Sequence, residues 1–559
     1  MDNFKVSLVV MPLIDLRYPS LALAYLSAFL RQRRVKVFVH GFNLIFKATI
    51  LVNFLQKVYS NPKLYLKLLA NIDSIKNKKM KYRLVFIDLM LKYCLEDILK
   101  RNPDLVGFSV FATNSFASLL LARRIKERNK RIKIVFGGPE CGYERNGYFF
   151  INTGIVDAVV LGEGELVLYE LVKRYCTGNL TRCEGAIIKN NAKIIDGGYS
   201  KQVIDMDDLP FPDYSDLDIK KHIKAELPVS FNRGCTANCK FCFEKKYWRY
   251  YREMSVDRSI EMLEHMQNKY NISSFLFAQS QLNADFKWLS KFCDKIIERK
   301  LVVYWKGNAR IHPRMDKECM QKMHNAGCRS LLFGVESGSQ KILDDMGKGT
   351  FAHSMKEVIR ATWESGIWVH TYWITGFPTE TAKDLLKTLD FIIENNEYID
   401  SWLFHVFYLV PGTRLYHEYL EQTWGGENKT SKKGWLREFS PPNPHKYVRS
   451  NYFLNNKNLI KKFLSVFNSF RIHYNLPHIG IVRHSSKKKK LALHFLLTVL
   501  LFKHALTDES LKSNLERIRI SKKSLIRTYN RVIKKHGVEY HYVGNQNEIA
   551  KHIVKEMLV

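Results

Sequence analysis

The chain has 559 residues, of which 46% are apolar and 13% aromatic, and this composition excludes wholesale disorder. The length allows two or three domains, each with its own hydrophobic core. The formal net charge is +34 and lies mainly at the ends. Residues 1–150 contain 26 Lys and Arg against 10 Asp and Glu, residues 451–559 contain 21 against 6, and residues 201–450 contain 36 against 32. A solvated basic surface and contact with an anionic or membrane surface both remain open as explanations of the two basic ends.

The opening segment MDNFKVSLVVMPL lacks a basic region followed by a long apolar run. The sequence therefore predicts no signal peptide and a cytoplasmic protein. The apolar run LALHFLLTVLLF at 491–502 is too short to span a bilayer. A buried helix is the favoured interpretation of this run. Lysines flank it, so a peripheral helix in a membrane interface is the alternative.

Residues 1–200 show alternating strand and helix patterns. Strands are predicted at 5–10, 36–41, 105–110, 133–139 and 157–165, with helices at 20–33 and 114–128. This α/β alternation favours a parallel, doubly wound, Rossmann-like sheet. A mainly helical, Lys-rich insertion at 44–100 interrupts the pattern, and GAIIKNNAKIIDGG at 185–198 predicts a hairpin.

A segment rich in Pro and Asp within residues 201–224 predicts an ordered linker, and a second α/β series begins at Leu227. Its six predicted strands lie in LPVSFNRGC, SSFLFAQ, LVVYWKGNAR, SLLFGVES, WVHTYWITGFP and SWLFHVFYLVPG. Six strands fit a partial (β/α)6 barrel of the TIM type, in which chemistry takes place at the carboxyl ends of the strands. We expect this core at 225–440, and a basic helical C-terminal domain at 441–559.

Three of the ten cysteines, Cys235, Cys239 and Cys242, lie together in RGCTANCKFC, just after the first strand of this series. Three thiolates on one loop can hold three irons of a 4Fe–4S cubane and leave the fourth iron open to another ligand. A structural zinc site would need a fourth protein ligand, and only His222 stands upstream of the trio as a candidate. The spacing therefore predicts a 4Fe–4S cluster.

This loop resembles the signature of the radical S-adenosylmethionine (SAM) enzymes, in which an aromatic residue, here Phe241, precedes the last cysteine. The segments KGNARIHP at 306–313, FGVESGSQKILDDMGKG at 333–349 and WITGFPTET at 373–381 resemble the ends of the fourth, fifth and sixth strands in the branch of that superfamily that binds cobalamin. The resemblance extends over about residues 5–175 and 205–420.

The resemblance implies which side chains and turns contact SAM. The expected residues lie in the cysteine loop or at strand ends: Phe241, Gln279, Asn308, Arg310, Glu336, Ser337, Gly338, Gly376 and Pro378. The sequence departs from the family in AQSQ, where Gln279 and Gln281 stand at positions that are acidic in many relatives. A neutral amide can still form hydrogen bonds, so a contact from Gln279 to the amino group of SAM is retained as an expectation.

The front segments VGFSVFATNSFASLLLARRIKE, KIVFGGPE and DAVVLGEGE resemble a cobalamin-binding domain, expected here at 1–200. The implied cobalamin-binding residues are Ser109, Gly137, Gly138, Gly162, Glu163 and Gly164. The sequence lacks Asp-x-His-x-x-Gly, the motif that supplies a histidine to cobalt in cobalamin mutases. His40 lies in HGFN, does not fit that motif and is interpreted as a residue at the rim of the sheet.

By resemblance, the chain is an enzyme that cleaves SAM reductively with its cluster and transfers a methyl group to an unactivated carbon with the help of cobalamin. No protein side chain is assigned as a catalytic acid, base or nucleophile. The substrate is expected to be a small molecule, a peptide or a lipid, and an external one-electron reductant such as flavodoxin or ferredoxin is required. A rearrangement or cyclisation without methyl transfer is one alternative. A non-catalytic iron–sulfur regulator is another, and no specific nucleic-acid partner is predicted.

Overall fold

The computed structural model describes residues 3–12, 17–42, 78–200, 204–222, 226–407 and 409–418. It divides into two compact units. Among the described residues, the first unit contains those up to 310, 322–330 and 409–418, and the second contains 311–321 and 331–407. Most of the predicted insertion at 44–100 and all of the predicted C-terminal domain at 441–559 lie outside the described residues.

The first unit begins with a seven-stranded sheet, called the front sheet here, in the order β2-β1-β3-β4-β5-β6-β7. Its strands are β1 (Lys5–Val10), β2 (Lys36–Gly41), β3 (Leu105–Ser109), β4 (Lys133–Gly137), β5 (Ala158–Val160), β6 (Ala186–Asn190) and β7 (Lys193–Asp196). The first five strands pair in parallel, and the hairpin β6–β7 adds antiparallel strands. The predicted doubly wound sheet and the predicted hairpin are confirmed.

Helices cover both faces of the front sheet. They are α1 (Leu21–Gln32), α2 (Lys78–Leu99), α3 (Ser115–Arg128), α4 (Gly147–Asn152) and α5 (Glu165–Thr177). Neighbouring residues of β1 belong to two different apolar cores: Leu8 packs with residues of α1 and α5, and Val9 packs with residues of α2 and α3. Because successive side chains of a strand point to opposite faces, continuous apolar runs such as KVSLVV suit a sheet buried on both sides.

The strands of the second series that lie in the first unit lead up to the predicted cluster site. They are β8 (Leu227–Val229), β9 (Asn232–Arg233), β10 (Arg252–Glu253), β11 (Ser274–Phe277) and β12 (Tyr304–Ala309). Strand β11 pairs in parallel with both β8 and β12. The helices between them are α6 (Glu244–Trp248), α7 (Val256–Tyr270) and α8 (Phe286–Glu298), and α9 (Lys317–Asn325) follows β12. Side-chain caps start two of these helices, at Ser255 and Asp285.

The later strands continue the same alternation. Strand β13 (Cys328–Glu336) contributes its last six residues to the second unit, which also contains β14 (Trp368–Thr375) and β15 (Ser401–Val406). Helices α10 (Gln340–Asp345), α11 (Ala352–Glu364) and α12 (Ala382–Glu394) lie between these strands, and β14 and β15 pair in parallel. All six strands predicted from Leu227 onward are confirmed. Within the described residues, no helix has both the length and the apolar character needed to cross a membrane.

Candidate functional site

The three cysteines lie on one loop, called the cysteine loop here, which comprises residues 234–243 between β9 and α6. Each of Cys235, Cys239 and Cys242 is partly exposed, and none forms a disulfide. The backbone N–H of Cys242 donates to the carbonyl of Cys239 at 3.2 Å, which curls the loop back on itself. The loop therefore presents three thiols beyond the carboxyl end of a strand, where the sequence predicted them.

Gly234 allows the sharp entry into this loop. Its φ is +89°, and a Cβ at this position would lie 2.7 Å from the carbonyl oxygen of Tyr250. Only glycine adopts such a conformation without strain. Burial raises the pKa of the Cys242 thiol to about 12, so iron must displace a proton when this sulfur becomes a ligand.

Among the described residues, no three His, Cys, Asp or Glu side chains converge on a single ion. A cubane does not require such convergence, because each thiolate of a 4Fe–4S cluster binds a different iron. The donor set of three thiols on one loop is the chemistry that such a cluster needs.

Two polar side chains from the ends of neighbouring barrel strands reach the cysteine loop. The Oε1 atom of Gln281 lies 3.0 Å from the sulfur of Cys235, and it also accepts from the N–H of Thr236 at 3.3 Å and from its hydroxyl at 3.1 Å. The Nη1 atom of Arg310 lies 3.8 Å from the sulfur of Cys239. A neutral amide and a cation therefore border two of the three sulfurs.

Asn283, which was not predicted from the sequence, holds Arg310 in place. Its amide oxygen accepts from the backbone N–H of Arg310 at 3.0 Å, and its amide nitrogen donates to the carbonyl of Arg310 at 2.7 Å. Asn283 is buried and lies just beyond β11. The run AQSQLN contained the signal, since its polar residues follow directly after a buried apolar strand.

Gln279 and Asn308, both predicted to contact SAM, are neighbours. The amide nitrogen of Asn308 donates to the backbone carbonyl of Gln279 at 3.4 Å. The side chain of Gln279 is only 2% exposed, yet neither its amide oxygen nor its amide nitrogen has a hydrogen-bond partner in the described part of the chain. A buried amide without partners is costly, and a polar ligand would satisfy it. Phe241, which is also expected to contact SAM, is half-buried in the cysteine loop.

The second unit holds the other residues predicted to contact SAM. Glu336 ends β13 with φ of +69°, and its Oε1 atom lies 3.0 Å from Nζ of the buried Lys348. A non-glycine residue in the left-handed region is uncommon, and such strain is found preferentially at functional sites. This geometry is compatible with the predicted role of Glu336.

Ser337 and Gly338 contact helix α12. The hydroxyl of Ser337 lies 3.0 Å from that of Thr388, and the N–H of Gly338 donates to the same hydroxyl at 3.0 Å. A Cβ at Gly338 would lie 2.7 Å from the carbonyl oxygen of Lys387. Glycine is therefore required at position 338 because the backbone there passes close to helix α12. The predicted contacts of Ser337 and Gly338 with SAM stay predictions.

The turn after β14 is held by a buried carboxyl group. Gly376 has φ of +83°, and its N–H donates to Oε2 of Glu380 at 2.5 Å. Burial raises the pKa of Glu380 to about 7, and its Oε1 atom has no hydrogen-bond partner among the described residues. Pro378 lies half-buried in the same turn. Gly376 and Pro378 were predicted from the sequence, whereas Glu380, which fixes their turn, was not.

At the carboxyl edge of the front sheet, Ser109 and Gly137 are direct register partners on β3 and β4. Gly138 follows with φ of +108°, and a Cβ there would lie 2.7 Å from the carbonyl oxygen of Val110. A Cβ at Gly137 would meet nothing closer than Val160, at 3.6 Å. The fold itself therefore requires glycine at 138, whereas a Cβ at 137 would make only an ordinary van der Waals contact.

Gly162, Glu163 and Gly164 connect β5 to α5 at this same edge. Gly162 has φ of +82°, and Gly164 is the residue that precedes α5. Both carboxylate oxygens of Glu163 are engaged, Oε2 with Arg233 at 2.5 Å and Oε1 with Arg252. The structure thus joins this predicted cobalamin residue to two arginines that flank the cysteine loop.

His40 has no free nitrogen with which to ligate a metal. Its Nδ1 atom lies 2.7 Å from Oδ2 of Asp97, and its Nε2 atom lies 3.2 Å from the hydroxyl of Ser7. Burial lowers the pKa of His40, although Asp97 opposes that effect. His40 lies near the end of β2, where the sequence interpretation placed it, but it is buried, at 5% exposed.

The sequence model of the radical SAM superfamily matches residues 229–392, and that of the B12 binding domain matches residues 61–172. The uncharacterized methyltransferase PH0819 of Pyrococcus horikoshii is 28% identical over 389 residues, covering 67% of this chain and 84% of the relative. The anaerobic magnesium-protoporphyrin IX monomethyl ester cyclase of Rubrivivax gelatinosus is 26% identical over 335 residues. The match covers 57% of this chain but only 60% of the length of that cyclase.

Two solved structures have the same fold. The radical SAM methyltransferase TsrM from Kitasatospora setae superposes with a TM-score of 0.57 at 16% identity, covering 75% of this chain and 76% of its own. The cobalamin-dependent radical SAM enzyme OxsB superposes with a TM-score of 0.63 at 16% identity, covering 100% of this chain and 84% of its own. A second TsrM structure contains cobalamin and a 4Fe–4S cluster, and the OxsB structure contains aqua-cobalamin and SAM. The chain therefore combines a radical SAM domain with a B12-binding domain, the two domain types that the cysteine loop and the front sheet predicted.

Proposed function

We propose that this enzyme methylates a carbon atom of a small-molecule substrate by radical chemistry, with a 4Fe–4S cluster, SAM and cobalamin as its cofactors. The observation that carries the proposal is the pairing of two sites within one unit. The cysteine loop lies beside Gln281 and Arg310, and the edge of the front sheet carries Ser109, Gly137 and Gly138. Relatives named as methyltransferases support the choice of reaction.

When bound, the cluster and cobalamin supply an electron for the reductive cleavage of SAM and a transferable methyl group. The thiolates of Cys235, Cys239 and Cys242 would hold the cluster. Gln279 and Asn308 offer amide groups to SAM, and Arg310 offers a cation to its carboxylate. Protein side chains bind and orient the cofactors in this proposal, and none acts as an acid, base or nucleophile.

Electrons must come from an external one-electron donor, for which flavodoxin and ferredoxin are the expected candidates. We propose that the boundaries of the radical SAM core are 225–440, with a linker at 201–224 and the cobalamin-binding domain at 1–200. We also propose that the substrate is a small molecule, a peptide or a lipid. We further propose that the basic residues 441–559 contact an anionic or membrane surface, which the positive charge of that segment supports.

The experiment is an anaerobic reconstitution with iron, sulfide and hydroxocobalamin, followed by addition of SAM labelled with deuterium in its methyl group and dithionite. We expect 5′-deoxyadenosine, and labelled methyl on the protein-bound cobalamin, both detected by mass spectrometry. C239A should lose the cluster and all 5′-deoxyadenosine. C176A, which removes an exposed cysteine of α5, should match the parent protein.

Two other outcomes would change the conclusion. Formation of 5′-deoxyadenosine together with bound cobalamin that takes up no methyl label would favour the second candidate, a rearrangement or cyclisation. The relatives named as magnesium-protoporphyrin cyclases favour this candidate specifically. An intact cluster that never cleaves SAM would contradict the enzymatic function and favour an iron–sulfur regulator.

A further inference from the structure

We propose that Arg233, Glu163 and Glu165 are positioning residues that hold the cysteine loop in one orientation against the carboxyl edge of the front sheet. The inference deepens the proposed function, because a reaction that uses both cofactors requires a fixed geometry between them. It assigns to Glu163 a role other than the cobalamin contact that the sequence resemblance implies.

Arg233 lies directly before the cysteine loop. It ends β9, and only Gly234 separates it from Cys235. Strand β10 pairs with β9 in antiparallel register, with Arg252 directly opposite Arg233. The two arginines therefore lie on the short ribbon from which the cysteine loop emerges, and any displacement of this ribbon would displace the loop.

The two carboxylates come from the front sheet, which meets the ribbon β9–β10 at a junction formed by Arg233, Arg252, Glu163 and Glu165. Glu163 follows β5, and Glu165 is the first residue of α5. Arg233 donates to Oε1 of Glu165 through Nη2 at 2.5 Å, and through Nη1 to Oε2 of Glu165 at 3.3 Å and to Oε2 of Glu163 at 2.5 Å. The other oxygen of Glu163 accepts from Arg252. The bidentate contact to Glu165 fixes direction as well as distance.

The charges at this junction are largely out of water. The side chains of Arg233 and Glu165 are each 6% exposed, and that of Glu163 is 20% exposed. Burial alone would raise the pKa of Glu165, but the Arg233 guanidinium outweighs it and holds that pKa below its usual value. Both groups therefore remain charged at neutral pH and attract each other in a poorly solvated site.

Aromatic side chains and one further hydrogen bond complete the junction. The guanidinium of Arg233 lies 5.5 Å from the ring centre of Tyr25 in α1 and 5.3 Å from that of Trp248 in α6. The hydroxyl of Tyr25 donates to the carbonyl of Ser230 at 3.1 Å. Residues of α1, α5 and α6 thus surround one cation, which restricts its rotamer.

A buried ion pair contributes little net stability compared with an apolar pair of the same volume, because desolvation offsets the attraction. What it supplies is a defined geometry, since only one relative placement satisfies all its hydrogen bonds. An apolar replacement would keep the fold but relax that placement. This difference separates positioning from simple stabilisation and makes the inference testable.

The experiment measures the dipolar coupling between the reduced cluster and cob(II)alamin by pulsed electron paramagnetic resonance in the protein loaded with both cofactors. The parent protein should give one narrow distance distribution. E163Q, whose carboxylate is partly exposed, and the apolar pair R233M with E165L should give broadened or shifted distributions. R31Q is the matched control, because Arg31 of α1 pairs with Asp213 at 2.6 Å without touching the ribbon or the loop.

An unchanged distribution in the apolar pair variant, with both cofactors loaded, would overturn the inference. So would loss of both cofactors from E163Q, since the network would then merely support folding. If the parent protein binds no cobalamin, the proposed function fails, and amide hydrogen exchange of residues 234–243 in the cluster-loaded protein decides the inference by itself. We expect exchange there at least about tenfold faster in the apolar pair variant than in R31Q, and equal rates would contradict the proposal.

Discussion

The amide oxygen of Gln281 lies 3.0 Å from the sulfur of Cys235 and accepts two further hydrogen bonds from Thr236. By the family resemblance, many relatives carry an acidic side chain in this segment. A carboxylate at this distance from a cluster thiolate would place two negative charges together in a partly buried site. The neutral amide avoids this repulsion, which gives a physical reason for the departure of AQSQ from the family pattern.

Replacement of Gln281 by Glu should shift the cluster to a more negative midpoint potential, because added negative charge beside a ligand sulfur disfavours the reduced cluster. The measurement is a redox titration followed by electron paramagnetic resonance. Q267E is the control, since Gln267 bonds Ser273 and the carbonyl of Val302 and no cysteine. A potential that is the same in Q281E and in the parent protein would show that Gln281 only supports the loop.

Gly137 and Gly138 are adjacent, but we expect substitution by alanine to affect stability at one position and cobalamin binding at the other. G138A should lower the free energy of unfolding by about 1–3 kcal/mol, because it combines φ of +108° with a Cβ placed 2.7 Å from a carbonyl oxygen. G137A should leave urea unfolding almost unchanged, since its Cβ has space, yet weaken cobalamin binding. Equal cobalamin affinity in G137A and the parent protein would exclude a passage for the ligand at this glycine.

Local patterns sufficed to predict the strands and the group of three cysteines, because each depends on residues close together in sequence. The glycines at the strand ends were expected from the family resemblance. The contacts of Arg233 with Glu165 and of Gln281 with Cys235 join residues 68 and 46 positions apart. Only the fold brings them together, and no periodicity encodes such a pairing. Gly338 shows another limit: the requirement for glycine was recognised, but its neighbour in the structure is helix α12.

Glu380 predicts a pH-dependent stability that an exposed carboxylate would not give. Its pKa rises from 4.5 to about 7 because of burial, so the folded chain binds a proton more tightly than the unfolded chain. The stabilising contribution of the protonated group is fully present below pH 4.5 and is lost as the pH rises to about 7. The free energy of unfolding falls by about 3 kcal/mol over this range, because each unit of pKa difference corresponds to about 1.4 kcal/mol.

E380Q carries no titrating group at this position, and its amide oxygen can still accept from Gly376. Between pH 5 and pH 8, the urea midpoint of the parent protein should therefore fall relative to that of E380Q. E357Q, a change of an exposed carboxylate on α11, is the control. Parallel pH profiles for E380Q and the parent protein would show that Glu380 is ionised throughout this range.

Glu336 combines backbone strain with a buried ion pair, and two substitutions separate these contributions. Both E336G and E336A remove the partner of Lys348, but only alanine retains a Cβ at φ of +69°. We therefore expect E336G to be more stable than E336A by about 1 kcal/mol in urea unfolding. If the strain is maintained to present the carboxylate to SAM, both variants should bind SAM with equally reduced affinity in the cluster-loaded protein, measured by equilibrium dialysis. Retention of SAM affinity in the more stable E336G would show that Glu336 serves only to hold Lys348 in place.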